Sequence, residues 1–224
     1  MEIKKAKSQQ QKQFRINSIL NAAEQLFVEN GKGELPSAIQ IANQAGVAKG
    51  TLYIYFRTKE AIFIGVLERH LQNWLADFDR LVRQYDAPTS GDIVGYLAAY
   101  WQQNEILGEL SRLQDSQLEA NLDEKVLTGF QTKIVNDLKR IIPSLTAINN
   151  DVESPKWQKL MLLSIQLLTL AWQQSHPRKA KALNATPSFE ETSIQLLTPF
   201  WQEMLELKKE QPKQKSGWRK LLGS

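Results

Sequence analysis

The stretch IANQAGVAKGTLYIYFRTK, residues 41–59, reads as a helix, a tight turn and a second helix. Ser37 with Gln40 three places later forms a capping-box pair, so the first helix starts at Ser37 and runs to about Gln44, with Pro36 just outside it. Ile41 and Ala42 then face inward. Ala45 and Gly46 make the turn, where glycine accepts a backbone conformation that a branched residue disfavours, and Val47 fills the angle between the helices. The second helix begins near Ala48. Leu52 and Phe56, four residues apart, share one apolar face, which leaves Lys49, Gly50, Thr51, Tyr53 and Tyr55 pointing outward. A helix fits the major groove of duplex DNA, and Lys, Thr and Tyr side chains bond phosphate oxygens or base acceptors. The motif therefore predicts a helix-turn-helix whose second helix meets DNA.

Residues outside the motif extend the pattern. Ala22, Ala23, Leu26, Phe27 and Gly31 precede it; Ile41, Ala42, Ala45, Gly46, Val47, Lys49, Gly50, Thr51, Leu52, Tyr53, Tyr55, Phe56, Lys59 and Glu60 complete it. On these residues the chain resembles a TetR-type transcriptional regulator over about residues 16–66, with no motif beyond Val66. The resemblance implies an all-α fold: an N-terminal three-helix DNA-binding domain with a helix-turn-helix, and a C-terminal helical ligand-binding and dimerisation domain. It further implies a ligand-responsive repressor that binds a pseudo-palindromic operator as a dimer. The opposite sign, with ligand required for DNA binding, stays open. The two recognition helices of such a dimer stand about 34 Å apart, one turn of duplex. By resemblance, Lys49, Gly50, Thr51 and Tyr53 face the operator, and Tyr55 and Lys59 hold phosphates; independently of the resemblance, Ser37 can present its hydroxyl and a helix N-terminus to a phosphate. Where the family carries a threonine pair and a polar or basic residue, this chain has Pro36, Ser37, Ala38 and Ile39.

Charge supports the DNA-binding end. Residues 1–60 hold nine Lys and Arg against five Asp and Glu, and residues 61–224 hold nineteen of each, so the whole excess of +4 sits with the motif. Lys4, Lys5, Lys7, Lys12 and Arg15 suggest a basic flexible leader over residues 1–15, suited to phosphates. The DNA-binding domain is then expected over 16–62, the effector and dimerisation domain over 63–208, and a basic tail over 209–224. The tail carries Trp218, Arg219, Lys220, Leu221 and Leu222, an amphipathic fragment.

With no cysteine there is no disulfide, thiolate nucleophile or cysteine-type zinc site. The longest apolar run, residues 160–172, is interrupted by Ser164, Gln166 and Thr169 and is too short to span a bilayer. With no apolar leader after the charged N-terminus, a cytoplasmic protein is expected.

Beyond the motif the periodicity is helical throughout. Thr58 caps a helix to about Tyr85 with an apolar stripe at Leu67, Leu71, Trp74, Phe78, Leu81 and Tyr85. Helices are expected over 92–103 and 105–120, and then over 122–142, where Pro143 should stop the chain before a loop to Pro155. Residues 157–174 are apolar on almost every side, and residues 189–207 carry Ile194, Leu197, Phe200, Trp201, Met204 and Leu205 on a wide face. By resemblance, the segments 157–176 and 189–207 pair with their copies in a homodimer as a four-helix bundle.

The resemblance places a small-molecule effector among the middle helices, from about Leu67 to Trp172. Trp74, Tyr100, Trp101, Phe130 and Trp172 are candidate lining residues, together with Tyr96 and Trp157. Ser164, Gln166 and Thr169 are candidates to orient the molecule. No catalytic residue, metal ligand or cofactor motif is read. His70 and His176 are the only histidines; the first reads as a surface residue and the second as a cation at a helix end. Two alternatives remain at the level of sequence: a non-specific DNA-binding or membrane-associated helical protein, and an enzyme on a helical scaffold.

Overall fold

Glutamine and lysine are the commonest residues of the first thirty positions, and neither glycine nor proline interrupts them, so one helix is the natural outcome. In the computed structural model, α1 spans Glu2–Glu29. The structure describes residues 2–31, 34–85, 87–177 and 186–206, with side chains from residue 9 onward. The expected flexible leader is thus replaced by the opening turns of α1. The expected basic tail lies outside the described residues.

Helices α2 (Ala38–Gln44) and α3 (Lys49–Tyr55) form the helix-turn-helix. The Ser37 hydroxyl accepts from the Gln40 N–H, and the Gln40 side chain accepts from the Ser37 N–H at 2.9 Å, a complete capping box. Gly46 makes the turn at φ 64°, where a side chain would be strained. Phe56 departs from expectation. It caps α3 with extended backbone and is only half-buried, because the chain must leave the helix there to reach the cap of α4.

Helix α4 (Lys59–Gln84) begins at Thr58, whose hydroxyl accepts from the Ala61 N–H at 3.1 Å. Its buried stripe runs from Leu67 through Phe78 to Val82, while Tyr85 lies outside it, exposed just past the last turn. Helix α5 (Ser90–Gln103) starts two residues earlier than expected, because Thr89 and Asp92 form a second capping box. The Asp92 carboxylate accepts from the Thr89 hydroxyl at 2.6 Å and the Thr89 N–H at 2.9 Å, bonds that lower its pKa. Helix α6 (Glu105–Leu113) gives way to a π-helical turn, Gln114–Leu118, and a 3-10 turn, Glu119–Asn121.

Helix α7 (Glu124–Ile148) contradicts the expected stop at Pro143. Proline there removes one internal hydrogen bond, a cost of about 3 kcal/mol in a helix interior. Burial of Ile141, Ile142 and Leu145 on the core side offsets it, and the chain turns only at Asn149. The loop is correspondingly short. The Asn149 side chain donates to the carbonyls of Met204 and Leu205, tying it to the end of α9.

Helices α8 (Ser154–Ser175) and α9 (Phe189–Glu206) pack on each other, α9 also packs on α5, and α4 packs on α7 and α1. Ser164 is fully buried yet satisfied: its hydroxyl donates to the Leu160 carbonyl at 2.9 Å and accepts from the Trp201 indole at 3.1 Å. Nine α-helices and no strand are present among the described residues, which makes the fold all-α.

Candidate nucleic-acid interface and effector cavity

The core of the N-terminal three-helix unit consists of Ile19, Ala23, Phe27, Ile41, Ala42 and Leu52, all essentially inaccessible to water. With Leu52 pointing inward, the opposite face of α3 must point outward. Lys49, Gly50, Tyr53 and Ile54 are exposed there and Thr51 is half-exposed. The Lys49 ammonium lies 5.9 Å from the Tyr53 ring centroid, so the two side chains form one polar surface. Tyr55 is half-buried against the core, and Lys59 lies in the first turn of α4, in a recess with Glu34, Glu60 and Asn121. Ser37 is exposed, but its hydroxyl also donates to Gln40 Oε1 at 2.8 Å, so it is engaged within its own helix. Sequence reasoning passed over Ile54. Its signal was an isoleucine two residues from the buried anchor.

The DNA-binding unit is joined to α4 by a polar cluster. Glu24 of α1 accepts from Arg69 and faces His70 Nε2 at 3.1 Å, and Arg69 donates to Asn21 at 2.6 Å. His70 is therefore largely buried at a helix interface rather than on the surface, because its partner comes from another helix. The His70 hydrogen bond lowers the Glu24 pKa, burial opposes it, and the Arg69 charge adds to the lowering.

A cavity of about 490 Å³ opens between α4, α6, α7 and α8. Leu71, Phe130, Ile134, Leu162 and Ile165 supply apolar lining, Gln114, Gln131, Gln166, Thr169 and Gln173 supply neutral polar groups, and Asp115 supplies one carboxylate. Ser111 also lines it; this hydroxyl is buried and has no hydrogen-bond partner in the protein. Of the residues expected to line a cavity, Phe130, Gln166 and Thr169 line this one, and Tyr96 lines a smaller cavity of about 150 Å³ with Leu81, Val82 and Ile93. Trp74 and Trp101 instead stack edge-to-face in the core, with ring centroids 6.0 Å apart. Trp157 and Ser164 are buried away from it, and Trp172 packs against Phe189 and His176. Tyr100 stands beside Tyr96, and burial first, then Asp77, raises both phenols, Tyr96 to about 12. Aromatic size alone did not separate core from lining. Ser111, Gln131 and Gln173 had no sequence signal of their own.

A helix-turn-helix joined to a helical bundle with an amphipathic cavity defines a regulator architecture. Residues 19–66 match the family model described as bacterial regulatory proteins, tetR family, and residues 68–205 match the tetracyclin repressor-like C-terminal domain. The chain belongs to the TetR family of bacterial transcriptional regulators, with a DNA-binding and a ligand-binding domain. It is 32% identical over 74 residues to a fatty acid metabolism regulator protein of Bacillus subtilis, covering 33% of this chain and 38% of the relative. It is 23% identical over 123 residues to the transcriptional regulator QacR of Staphylococcus aureus, covering 46% and 65%. The matches thus span under two thirds of either relative. The fold is shared with FadR of Thermus thermophilus, a TetR family repressor in complex with lauroyl-CoA, at a TM-score of 0.60 and 19% identity, covering 88% of this chain and 97% of that one. Among the described residues no helix is long and apolar enough to cross a membrane.

Proposed function

We propose that the protein is a ligand-responsive repressor that binds a pseudo-palindromic operator as a homodimer. The outward face of α3 carries this reading, with Lys49, Gly50, Thr51 and Tyr53 meeting DNA and Ser37, Tyr55 and Lys59 flanking them. Lys49 and Tyr53 are exposed and Thr51 is half-exposed, so their loss should cost DNA affinity and not the fold. Selection from a random DNA pool at near-physiological salt is expected to enrich an inverted repeat. Thr51→Ala or Lys49→Ala is then expected to weaken operator binding by about 1–3 kcal/mol with an unchanged melting curve. Retained affinity in both variants would displace the contact surface from α3.

Exposed apolar side chains on the last two helices, Leu170, Ile194 and Phe200, support pairing of 157–176 and 189–207 with their copies. A C2 pairing would bury them and set two recognition helices on successive turns of one face of the duplex.

The effector belongs in the cavity lined by Leu71, Phe130, Leu162 and the glutamines. That lining contains no lysine or arginine and one acidic side chain, the exposed Asp115, so it disfavours an anionic group and suits an apolar chain with a neutral hydrogen-bonding end. A long-chain acyl group, as in the lauroyl-CoA held by the Thermus relative, meets that description if its phosphates stay outside. Lauroyl-CoA is expected to release the operator, and Phe130→Ala to weaken that release by tenfold or more, about 1.4 kcal/mol. Operator binding indifferent to acyl-CoA of every chain length would remove this ligand class.

A further inference from the structure

Ile54 is 78% exposed, more than any other large apolar side chain described. It follows the fully buried Leu52 by two residues, about 200° around the helix, so it stands opposite the core. Nothing in the fold asks for a large apolar group there. An isoleucine offers no donor and no acceptor, and cannot bond a phosphate.

Gly50, one helical turn earlier, lies on the same face. Its backbone is not in the left-handed region, and a Cβ built on it would meet nothing within 4 Å. Gly108 differs, since a Cβ there would collide with Trp172 at 2.2 Å. Glycine costs up to about 1 kcal/mol relative to alanine in a helix interior, and part of that in a first turn such as this one. At position 50 neither backbone nor packing within the protein repays that cost, so the cleared space serves something outside the chain.

Helix α3 has seven residues. It is about 10 Å long, and an α-helix with its side chains is about 10–12 Å across, which matches the roughly 12 Å width of the major groove and lets its outward face enter. The only apolar group on the major-groove edge of any base is the thymine 5-methyl. We propose that Ile54 reads thymine in each operator half-site: Gly50 lets the backbone of α3 approach the base edges, and the Ile54 side chain covers a thymine methyl. Tyr53, 43% exposed beside it, and Lys49 supply the polar contacts around that apolar one. This inference rests on the operator-binding reading above and adds a base identity to it.

The test uses the full-length protein and the operator recovered by selection. Each symmetric pair of thymines is replaced by deoxyuridine, which removes only the methyl, and affinity is measured at one salt concentration for the wild type and for Ile54→Ala. At one pair the wild type is expected to lose about fourfold for each half-site, the worth of one buried methyl-sized group. Ile54→Ala should bind thymine and uracil operators equally at that pair, and Ile54→Val should keep part of the difference. Ile54 is solvent-exposed, so equal melting temperatures are expected for all three proteins. A wild type indifferent to uracil everywhere overturns the proposal, as does an alanine variant that keeps the full uracil penalty. If selection enriches no sequence, the operator reading itself fails; an enriched operator without methyl dependence sinks the thymine assignment alone.

Discussion

Replacing Glu109 by alanine is expected to lower the unfolding free energy by about 3–5 kcal/mol, the range for breaking a buried ion pair from one side. Glu109 is 8% exposed on α6 and accepts from Arg112 one turn later. It also accepts from the Trp172 indole N–H of α8 at 3.0 Å, and Arg112 donates to the His176 carbonyl at the end of α8 at 2.8 Å. The carboxylate therefore ties α6 to α8 directly through Trp172, and through Arg112 it supports the second tie, to His176. Alanine leaves the buried Trp172 indole N–H without its acceptor and removes the carboxylate partner of the half-buried Arg112, which keeps its bond to the His176 carbonyl. Glu109→Gln keeps an acceptor for Trp172 and removes the charge, so it should fall between the two. Urea unfolding at one protein concentration separates these outcomes, because a dimer's midpoint moves with concentration. A loss below about 1 kcal/mol for the alanine variant would show that the site relaxes around water instead.

The same locus shows why part of the molecule was hidden from sequence. The capping box at Ser37 and Gln40, the turn at Gly46 and the anchor Leu52 all depend on neighbours within a few residues, so their chemistry is readable locally. Glu109 and Trp172 are 63 positions apart, and Glu24 and His70 are 46 apart. No periodicity marks such partners. His70 therefore read as a surface residue, although an acid from α1 waits beside it. Pro143 failed for a related reason. A local rule predicts a stop, but the burial of Ile141, Ile142 and Leu145 is a property of the assembled core and outweighs it. The cavity was legible only in outline, since an aromatic residue in an apolar helix serves core and lining equally well. Phe130 and Trp74 have the same sequence credentials; only the contact of Trp74 with Trp101 and the packing of α4 on α7 separate them.

Leu52→Ala is expected to abolish specific DNA binding by a different route from Thr51→Ala. Leu52 is fully buried among Ile19, Ala23, Phe27, Ile41 and Ala42, and truncating such a leucine costs about 2–5 kcal/mol. The three-helix unit has few other large side chains over which to spread that loss. Helix α3 has seven residues, far below the length at which an isolated helix persists in water, so it holds its shape through packing, in which Leu52 is the one fully buried anchor and Tyr55 and Phe56 are half-buried. The N-terminal unit should therefore open locally while α4–α9 keep their own core of tryptophans and leucines. Hydrogen exchange would register this as lost protection over 49–56 with little change in α8. Operator affinity should fall to the non-specific level, whereas Thr51→Ala keeps protection and loses only affinity. If Leu52→Ala binds within about tenfold of wild type, the anchor is not what holds the recognition helix, and the tie from Glu24 to Arg69 and His70 must orient the DNA-binding unit on α4 instead.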